Sequence, residues 1–488
     1  MSESSSAAKQ PSSAALRPAL ERVLAPLVPG FERLTAIDRL SGGASQETYR
    51  LSVLANGEPL KLALRRSPGG EVLTEKIPGH PGLRVEAQLM RAAGEARVPE
   101  PTVYRVLEPD DALGDGFIMS WIEGEALGAR IARGEAYREL RTHLAYDCGR
   151  VLARIHGIDL DCSGLGRVLD RISPAEFLEQ TLARYRAYET PQPMIEYTAR
   201  WLEENLPSAP RQTLVHNDFR NGNFMVSEAE IVAVLDWELA HIGDPMRDLG
   251  WICTNSWRFG VGDKPVGGFG DYDALFQGYE DESGLTVDRE HVRFWEVFGS
   301  FWWSVGCLGM AEHYRTGPDA TVERPAIGRR SSECQVDCVN LLIAGPTEYL
   351  RPENAQPQAP VIDLPRADEL LESVKTFLHD DVMAATDGRT RFLARVAGNS
   401  LDVVRREWLT GAALADGERQ RFAALGIATS AELAAARDQL IAQIVDRSRS
   451  LDDPALIDYL RFTVVNQAGI DQPRYSGYQR ALRAANEG

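Results

Sequence analysis

The apolar positions change period along the chain, and that change divides it. A short helical pattern (Leu16–Leu27) is followed by alternating stretches at Leu34–Leu40, Thr48–Leu54 and Leu60–Leu64, the spacing of half-buried strands. Gly42-Gly43 separates the first two, and Asn56-Gly57 separates the second from the third. Asn-Gly between apolar runs is the strongest short hairpin signal, because both turn residues must take positive φ. Leu83–Ala93 then adopts helical spacing, Val98-Pro99-Glu100-Pro101 closes it, and Phe117–Ile122 reads as a further extended segment. These elements predict a small mixed sheet with one helix.

From Ala126 onward the spacing is mainly helical, as in Leu140–Ile155, Pro174–Tyr188 and Met194–Asn205. The exception lies between Asp218 and Asp236, where Phe224-Met225-Val226 and Ile231–Leu235 flank a polar Ser-Glu-Ala-Glu turn and predict a hairpin. Arg351–Pro365 carries Pro352, Pro357, Pro360 and Pro365 and predicts an extended connector. Beyond it, Ala367–His379, Arg389–Leu409, Ser430–Ser448 and Pro454–Ala468 are amphipathic and predict an all-α bundle. The expected organisation is a disordered or helical segment over 1–28, a β-rich lobe over 29–124, a larger helical lobe over 125–350, a linker over 351–365 and a helical domain over 366–488. The fold class is α+β.

Composition narrows the partners. A chain of 488 residues exceeds what one core serves. A net charge of −18 opposes a broad footprint for nucleic acid or anionic membrane, while leaving room for a local basic pocket. No apolar run approaches the roughly 20 residues of a bilayer span, and the Ser-rich start has no signal-peptide pattern, so a cytoplasmic location is expected. Six cysteines at irregular spacing are too sparse for a disulfide framework.

The chemistry concentrates in Leu214-Val215-His216-Asn217-Asp218-Phe219-Arg220-Asn221-Gly222-Asn223 and in Leu235-Asp236-Trp237-Glu238, whose aspartate follows Asp218 by eighteen residues. Phosphoryl transfer needs a carboxylate near the attacking hydroxyl and oxygen ligands that hold Mg²⁺ on the phosphates. Asp218 would orient the hydroxyl and accept its proton, Asn223 would bind the metal through its amide oxygen, Asp236 would bridge metal and phosphates, and His216 would hold the loop. A lone His-x-Asp is usually a surface loop; a second acidic motif after a hairpin changes that balance.

With these motifs, and with Gly243-Asp244-Pro245-x-x-Asp248-Leu249, the chain resembles the aminoglycoside phosphotransferase and choline kinase-like family, relatives of protein kinases, from about Leu34 to Leu350. It is similar in particular to the kinase-like domain associated with acyl-CoA dehydrogenases. The resemblance implies a protein kinase-like bilobal fold, with a small β-rich N-lobe and a larger helical C-lobe, followed by a C-terminal all-α domain of unknown function. It also implies ATP and Mg²⁺ as cofactors and a small hydroxylated molecule as substrate, a hydroxyacyl-type metabolite ranking above an aminoglycoside. Gly42, Gly43 and Ser45 would cover the nucleotide, though by themselves they read as a hairpin turn. Arg65 would pair with Glu86, in the place where most relatives carry Lys. Ser120 and Ile122 would bond adenine through their backbone, with Met119 lining the pocket, and Asp248 would tie down the catalytic loop. Arg315, Arg324, Arg329 and Arg330 are basic candidates for an acyl-CoA acceptor. Trp251, Trp257, Trp295, Trp302 and Trp303 could form an aromatic cage, but their helical spacing favours core packing. Homo-oligomer formation through the C-terminal helices stays open, as does a different class of function: a non-catalytic module that binds nucleotide or a partner.

Overall fold

The computed structural model describes residues 13–40, 46–70, 79–317, 321–351, 355, 364–429 and 432–486. Gly42, Gly43 and Ser45, and most of the proline-rich connector, lie outside the described residues. The chain divides into two compact units. One comprises Met1–Ile172, Pro210–Ile252 and Phe269–Asp288; the other comprises Ser173–Ala209, Cys253–Gly268 and Arg289–Gly488. Neither is continuous in sequence, so the connector near residue 360 is not the border between them.

The first unit opens with helix α1 (Ser13–Leu27) and strands β1 (Phe31–Arg39), β2 (Glu47–Ala55) and β3 (Glu58–Arg66). Asn56 and Gly57 join β2 to β3 with φ of 51° and 80°, the left-handed conformation the hairpin requires. After α2 (Leu83–Glu95) come β4 (Val103–Val106) and β5 (Gly116–Ser120), completing an antiparallel sheet of order β1-β2-β3-β5-β4. The sequence pattern misses β4, whose four residues hold too few alternations to show a period. Leu16, Leu20, Val23 and Leu24 of α1 close one face of the sheet against Leu34, Tyr49, Leu51, Val53, Leu62 and Leu64. Burying each such aliphatic side chain contributes about 1.5–3 kcal/mol.

The alternation of β3 sends neighbouring arginines to opposite faces. Arg66 is 2% exposed and bonds Glu47 through Nε and Nη2 at 3.0 and 2.8 Å, beneath the sheet's own cover. Arg65 takes the other face, where the candidate site lies. The rest of this unit contains helices Leu144–His156 and Tyr272–Ser283, the short strands β6 (Thr213–Val215), β7 (Phe224–Val226), β8 (Ile231–Val234) and β9 (His241–Gly243), and the helix Met246–Cys253. The strands pair as two antiparallel ribbons, β6 with β9 and β7 with β8.

The second unit is helical among its described residues. The C-terminal helices Gly388–Ala424, Leu433–Val445 and Pro454–Asp471 bury Phe422, Leu440, Ile444, Leu456, Tyr459 and Leu460 in one core with Met194, Tyr197, Val336 and Val339. They therefore close their apolar faces on helices Pro193–Glu204 and Ser331–Leu342 as well as on one another. Arg315, Arg329 and Arg330 are engaged within this unit, Arg315 by Glu312, Arg329 by Asp471 and Glu407, and Arg330 by Glu333. Arg324 reaches Met310. Trp295 packs with Phe177, Phe294 and Phe298, and Trp257 with Trp303, which is core packing. No helix among the described residues is long and apolar enough to cross a membrane.

Candidate active site

Two local conformations build the site. The chain leaves β6 at Val215 and turns through Asn217, whose φ is 67°; it leaves β8 at Val234 and turns through Asp236, whose φ is 69°. A non-glycine residue in this region costs on the order of 1 kcal/mol and persists only where its surroundings hold it. At Asn217 the holder is Asp248, fully buried in the first turn of helix Met246–Cys253. Its Oδ2 accepts from the His216 amide at 2.9 Å and its Oδ1 from the Asn217 amide at 2.7 Å, while His156 Nε2 lies 3.0 Å from Oδ2. Burial works against charge on Asp248, yet His156 and the loop amides hold its carboxyl below the usual value. Arg247 is buried beside it and donates to Asn217 Oδ1 at 2.9 Å.

His216 ties the two turns together. Its Nδ1 accepts from the Asp218 amide at 3.2 Å and its Nε2 donates to the Leu235 carbonyl at 3.1 Å, so the ring spans from one loop to the other in the neutral form. Burial pushes its pKa down, against the pull of Asp248, Asp218 and Asp236. The Leu235 amide donates to the Asn223 carbonyl at 2.7 Å, extending the β7–β8 ladder past Phe224 and Val234. Asn223 and Asp236 consequently leave the hairpin at the same end.

The Asp218 carboxylate is held by several donors. Oδ1 accepts from Arg220 Nε at 2.9 Å and from the Trp251 indole at 2.7 Å; Oδ2 accepts from Arg220 Nη2 at 3.2 Å and from Asn223 Nδ2. Asn223 Nδ2 also donates to the Asp218 carbonyl at 3.1 Å. Both bonds use the amide nitrogen, so the Oδ1 edge of Asn223 is turned away from Asp218. Trp251 and Arg220 were not singled out from the sequence as ligands of Asp218. Trp251 lies on the same helix as Asp248, three residues on, which is one turn and the same face.

Arg65 forms the opposite side. Its Nη2 bonds Asp236 Oδ1 at 2.7 Å and lies 3.9 Å from Glu238 Oε2; its Nε is 2.9 Å from Glu86 Oε1, an ion pair without hydrogen-bond alignment. Burial opposes its charge, but Glu86, Asp236 and Glu238 hold the guanidinium protonated. Burial pushes Glu86 up to about 7 despite Arg65. Trp237 is buried, its indole donating to half-buried Glu100 at 3.1 Å. Met119 and Ser120 stand on β5, and Ile122 lies just beyond it. Met119 is buried and pairs with Ala63, Ser120 pairs with Leu62, and the Ser120 hydroxyl accepts from the Thr102 amide at 2.9 Å.

The donors here are hard oxygens, one carboxamide and one carboxylate on neighbouring turns, and they suit Mg²⁺. That ion keeps several waters and is commonly held by one or two protein oxygens together with substrate phosphates. Among the described residues no group of three or more His, Cys, Asp or Glu could hold a metal ion.

Comparison with known proteins gives the family of the chain. The sequence profile described as "Phosphotransferase enzyme family" matches residues 36–285, just over half the chain. The chain belongs to that family. A second profile, a domain of unknown function named DUF6285, matches residues 384–475. Acyl-CoA dehydrogenase family member 10 of Mus musculus is 35% identical over 219 residues, 43% of this chain and 19% of that protein. Acyl-CoA dehydrogenase family member 11 of Gallus gallus is 31% identical over 250 residues, 48% of this chain and 30% of that protein. The chain thus spans less than half the length of these curated relatives. A crystal structure of a candidate aminoglycoside phosphotransferase from Ralstonia eutropha superposes with a TM-score of 0.54 at 23% identity, covering 66% of this chain and 97% of that one. The likeness places the fold of this phosphotransferase among the kinase-like α+β folds.

Proposed function

We propose that this phosphotransferase moves the γ-phosphoryl group of ATP to a hydroxyl of a small molecule. The observation that carries the proposal is the convergence on His216 of the two turns bearing Asp218, Asn223 and Asp236. Asp218 orients the acceptor hydroxyl and takes its proton as the new oxygen–phosphorus bond forms and the bond from the γ-phosphorus to the departing ADP breaks. Arg220 and Trp251 aim the Asp218 carboxylate. Asn223 Oδ1 and Asp236 would hold Mg²⁺, which when bound neutralises charge on the β- and γ-phosphates. Arg65, fixed by Glu86, offers a planar fork to phosphate oxygens and holds Asp236 at 2.7 Å, the carboxylate that would meet the metal. The backbone at Ser120 and Ile122 receives adenine beside Met119. Gly42, Gly43 and Ser45 stand in the sequence between β1 and β2, where a loop covering phosphates belongs in this family.

For the acceptor, the names of the curated relatives favour a hydroxylated acyl metabolite over an aminoglycoside. The test is a screen of hydroxylated metabolites and hydroxyacyl-CoA species for ATP-dependent phosphorylation, wild type beside Asp236→Ala. Product from the acyl class with wild type alone is the expected result; transfer only to aminoglycosides would displace the acceptor assignment.

Nucleotide binding has a separate readout. A ligand that binds only the folded chain stabilises it by RT ln(1 + [L]/Kd), about 2.7 kcal/mol at a hundredfold excess over Kd. ATP with Mg²⁺ is expected to raise the thermal midpoint of wild type more than ATP alone, and Asp236→Ala is expected to erase that difference. Equal midpoints with and without ATP, under both conditions, would remove the nucleotide from the proposal.

A further inference from the structure

Away from the turns of His216 and Asp236, the first unit contains a cavity of 410 Å³ lined by Arg97, Arg154, Arg211, His156, Tyr279 and Glu282, among others. Three arginines and one glutamate are among the residues that line it. Glu282 is already shared between Arg150 and Arg154, and Arg154 Nη1 donates to the Arg97 carbonyl at 3.0 Å, so Arg154 is fixed. Arg97 and Arg211 are exposed and form no ion pair among the described residues. In a chain of net charge −18, two unpaired arginines at one pocket are a marked local excess of positive charge.

The pocket floor leads elsewhere. Arg211 shares the cavity lining with Tyr279, and its charge eases the cost of burial at the phenol, whose oxygen lies 3.1 Å from His156 Nδ1. His156 Nε2 reaches Asp248, and Asp248 accepts from the His216 and Asn217 amides. His156 thus stands between the two, its Nε2 donating to the Asp248 carboxylate and its Nδ1 facing the Tyr279 phenol. Close backbone approach keeps it in register. A Cβ on Gly149 would stand 2.1 Å from the Leu275 carbonyl, and one on Gly278 would stand 2.0 Å from the Tyr146 carbonyl, so the helices bearing His156 and Tyr279 touch through glycine.

We infer that Arg97, Arg154 and Arg211 form a second ligand site, for a phosphate group, and that the Tyr279–His156–Asp248 chain carries its occupancy to the loop of His216 and Asn217. Planar guanidiniums bond phosphate oxygens bidentately, and the volume exceeds that of the ion alone, leaving room for the organic part of a phosphomonoester. An anion that neutralises Arg211 changes the field at the Tyr279 phenol and its bond to His156, and so how firmly Asp248 grips the loop amides. This inference is independent of the proposed phosphoryl acceptor.

The experiment is calorimetric titration of the full chain with inorganic phosphate and, separately, with glycerol phosphate, at constant ionic strength. Wild type is expected to bind, and Arg97→Gln/Arg211→Gln, both exposed positions, to bind at least about tenfold more weakly. Tighter binding of the ester assigns the spare volume to an organic group; equal binding assigns the site to phosphate itself. Retained affinity in the double variant, or loss in Arg65→Ala instead, would overturn the site. Hydrogen exchange of the peptide containing His216 and Asn217 tests the coupling. Phosphate is expected to change its rate several-fold in wild type and not in Tyr279→Phe, which keeps phosphate affinity within about threefold. An unchanged rate in wild type sinks the coupling, and an equal change in Tyr279→Phe removes the phenol from it.

Discussion

Asp218→Ala is expected to lower phosphoryl transfer by about 10²–10⁴-fold, the usual contribution of a positioned general base, while leaving nucleotide affinity within a few-fold of wild type. The separation follows from the geometry. Asp218 is bonded by Arg220, Trp251 and Asn223, whereas Arg65, Glu86 and Asp236 form a distinct set of contacts. Removing the carboxylate also takes the Asp218 acceptor from the buried Trp251 indole N–H, a loss that costs about 1–3 kcal/mol. Parallel thermal melts therefore accompany the kinetics. A folded variant that binds nucleotide and still turns over at the wild-type rate would end the assignment of Asp218 as base. A folded variant that has lost nucleotide as well would mean that the carboxylate serves binding, and the role of proton acceptor would pass to another group.

How much of this was visible in the sequence depends on the range of the interactions concerned. The β2–β3 hairpin is legible because Asn56-Gly57 specifies its own turn and the flanking alternation specifies its register over nine residue pairs. The β6–β9 ribbon is not, because each strand has three residues and its partner lies beyond an intervening hairpin. The C-terminal helix expected over Arg389–Leu409 continues to Ala424. It passes Gly411, a residue that costs a helix about 1 kcal/mol, because its far end is anchored by Glu418 on Arg437 and Tyr459 and by Phe422 in the core. No local pattern announces such an anchor. The motif residues Asp218, Asn223 and Asp236 could be named from spacing alone. Arg65 is the partner for Glu86 that the resemblance implies, and β3 sets Arg65 beside Glu86 and Arg66 beside Glu47; that Trp251 donates to Asp218 depends on helix packing that only the folded chain displays.

Asp248 carries the second large effect, on stability as well as activity. It stands at zero exposure with both oxygens engaged by the His216 and Asn217 amides and with His156 alongside. Asp248→Ala would strand those two amides and leave buried Arg247 without its nearest negative charge. Breaking a buried, hydrogen-bonded charge set in this way typically costs about 3–5 kcal/mol. Asp248→Asn keeps the shape but sets an N–H against a loop amide, so a smaller loss, about 1–3 kcal/mol, is expected. The pH dependence has a definite sign. The folded-state pKa of Asp248 lies below its ordinary value, so its stabilisation is complete above the unfolded carboxylate pKa near 4 and disappears as pH falls through the lower folded value. The gap between wild type and Asp248→Asn in urea denaturation should therefore be constant from neutral pH to about 5 and shrink in stronger acid. A gap that instead opened on acidification would contradict the charged, amide-bonded carboxylate. Activity should fall further than stability alone dictates, because Asn217 at its positive φ relies on Asp248 to keep the turn that presents Asp218. Full transfer activity in a folded Asp248→Asn would show that the turn holds without its anchor, and the strain at Asn217 would then have no part in positioning the base.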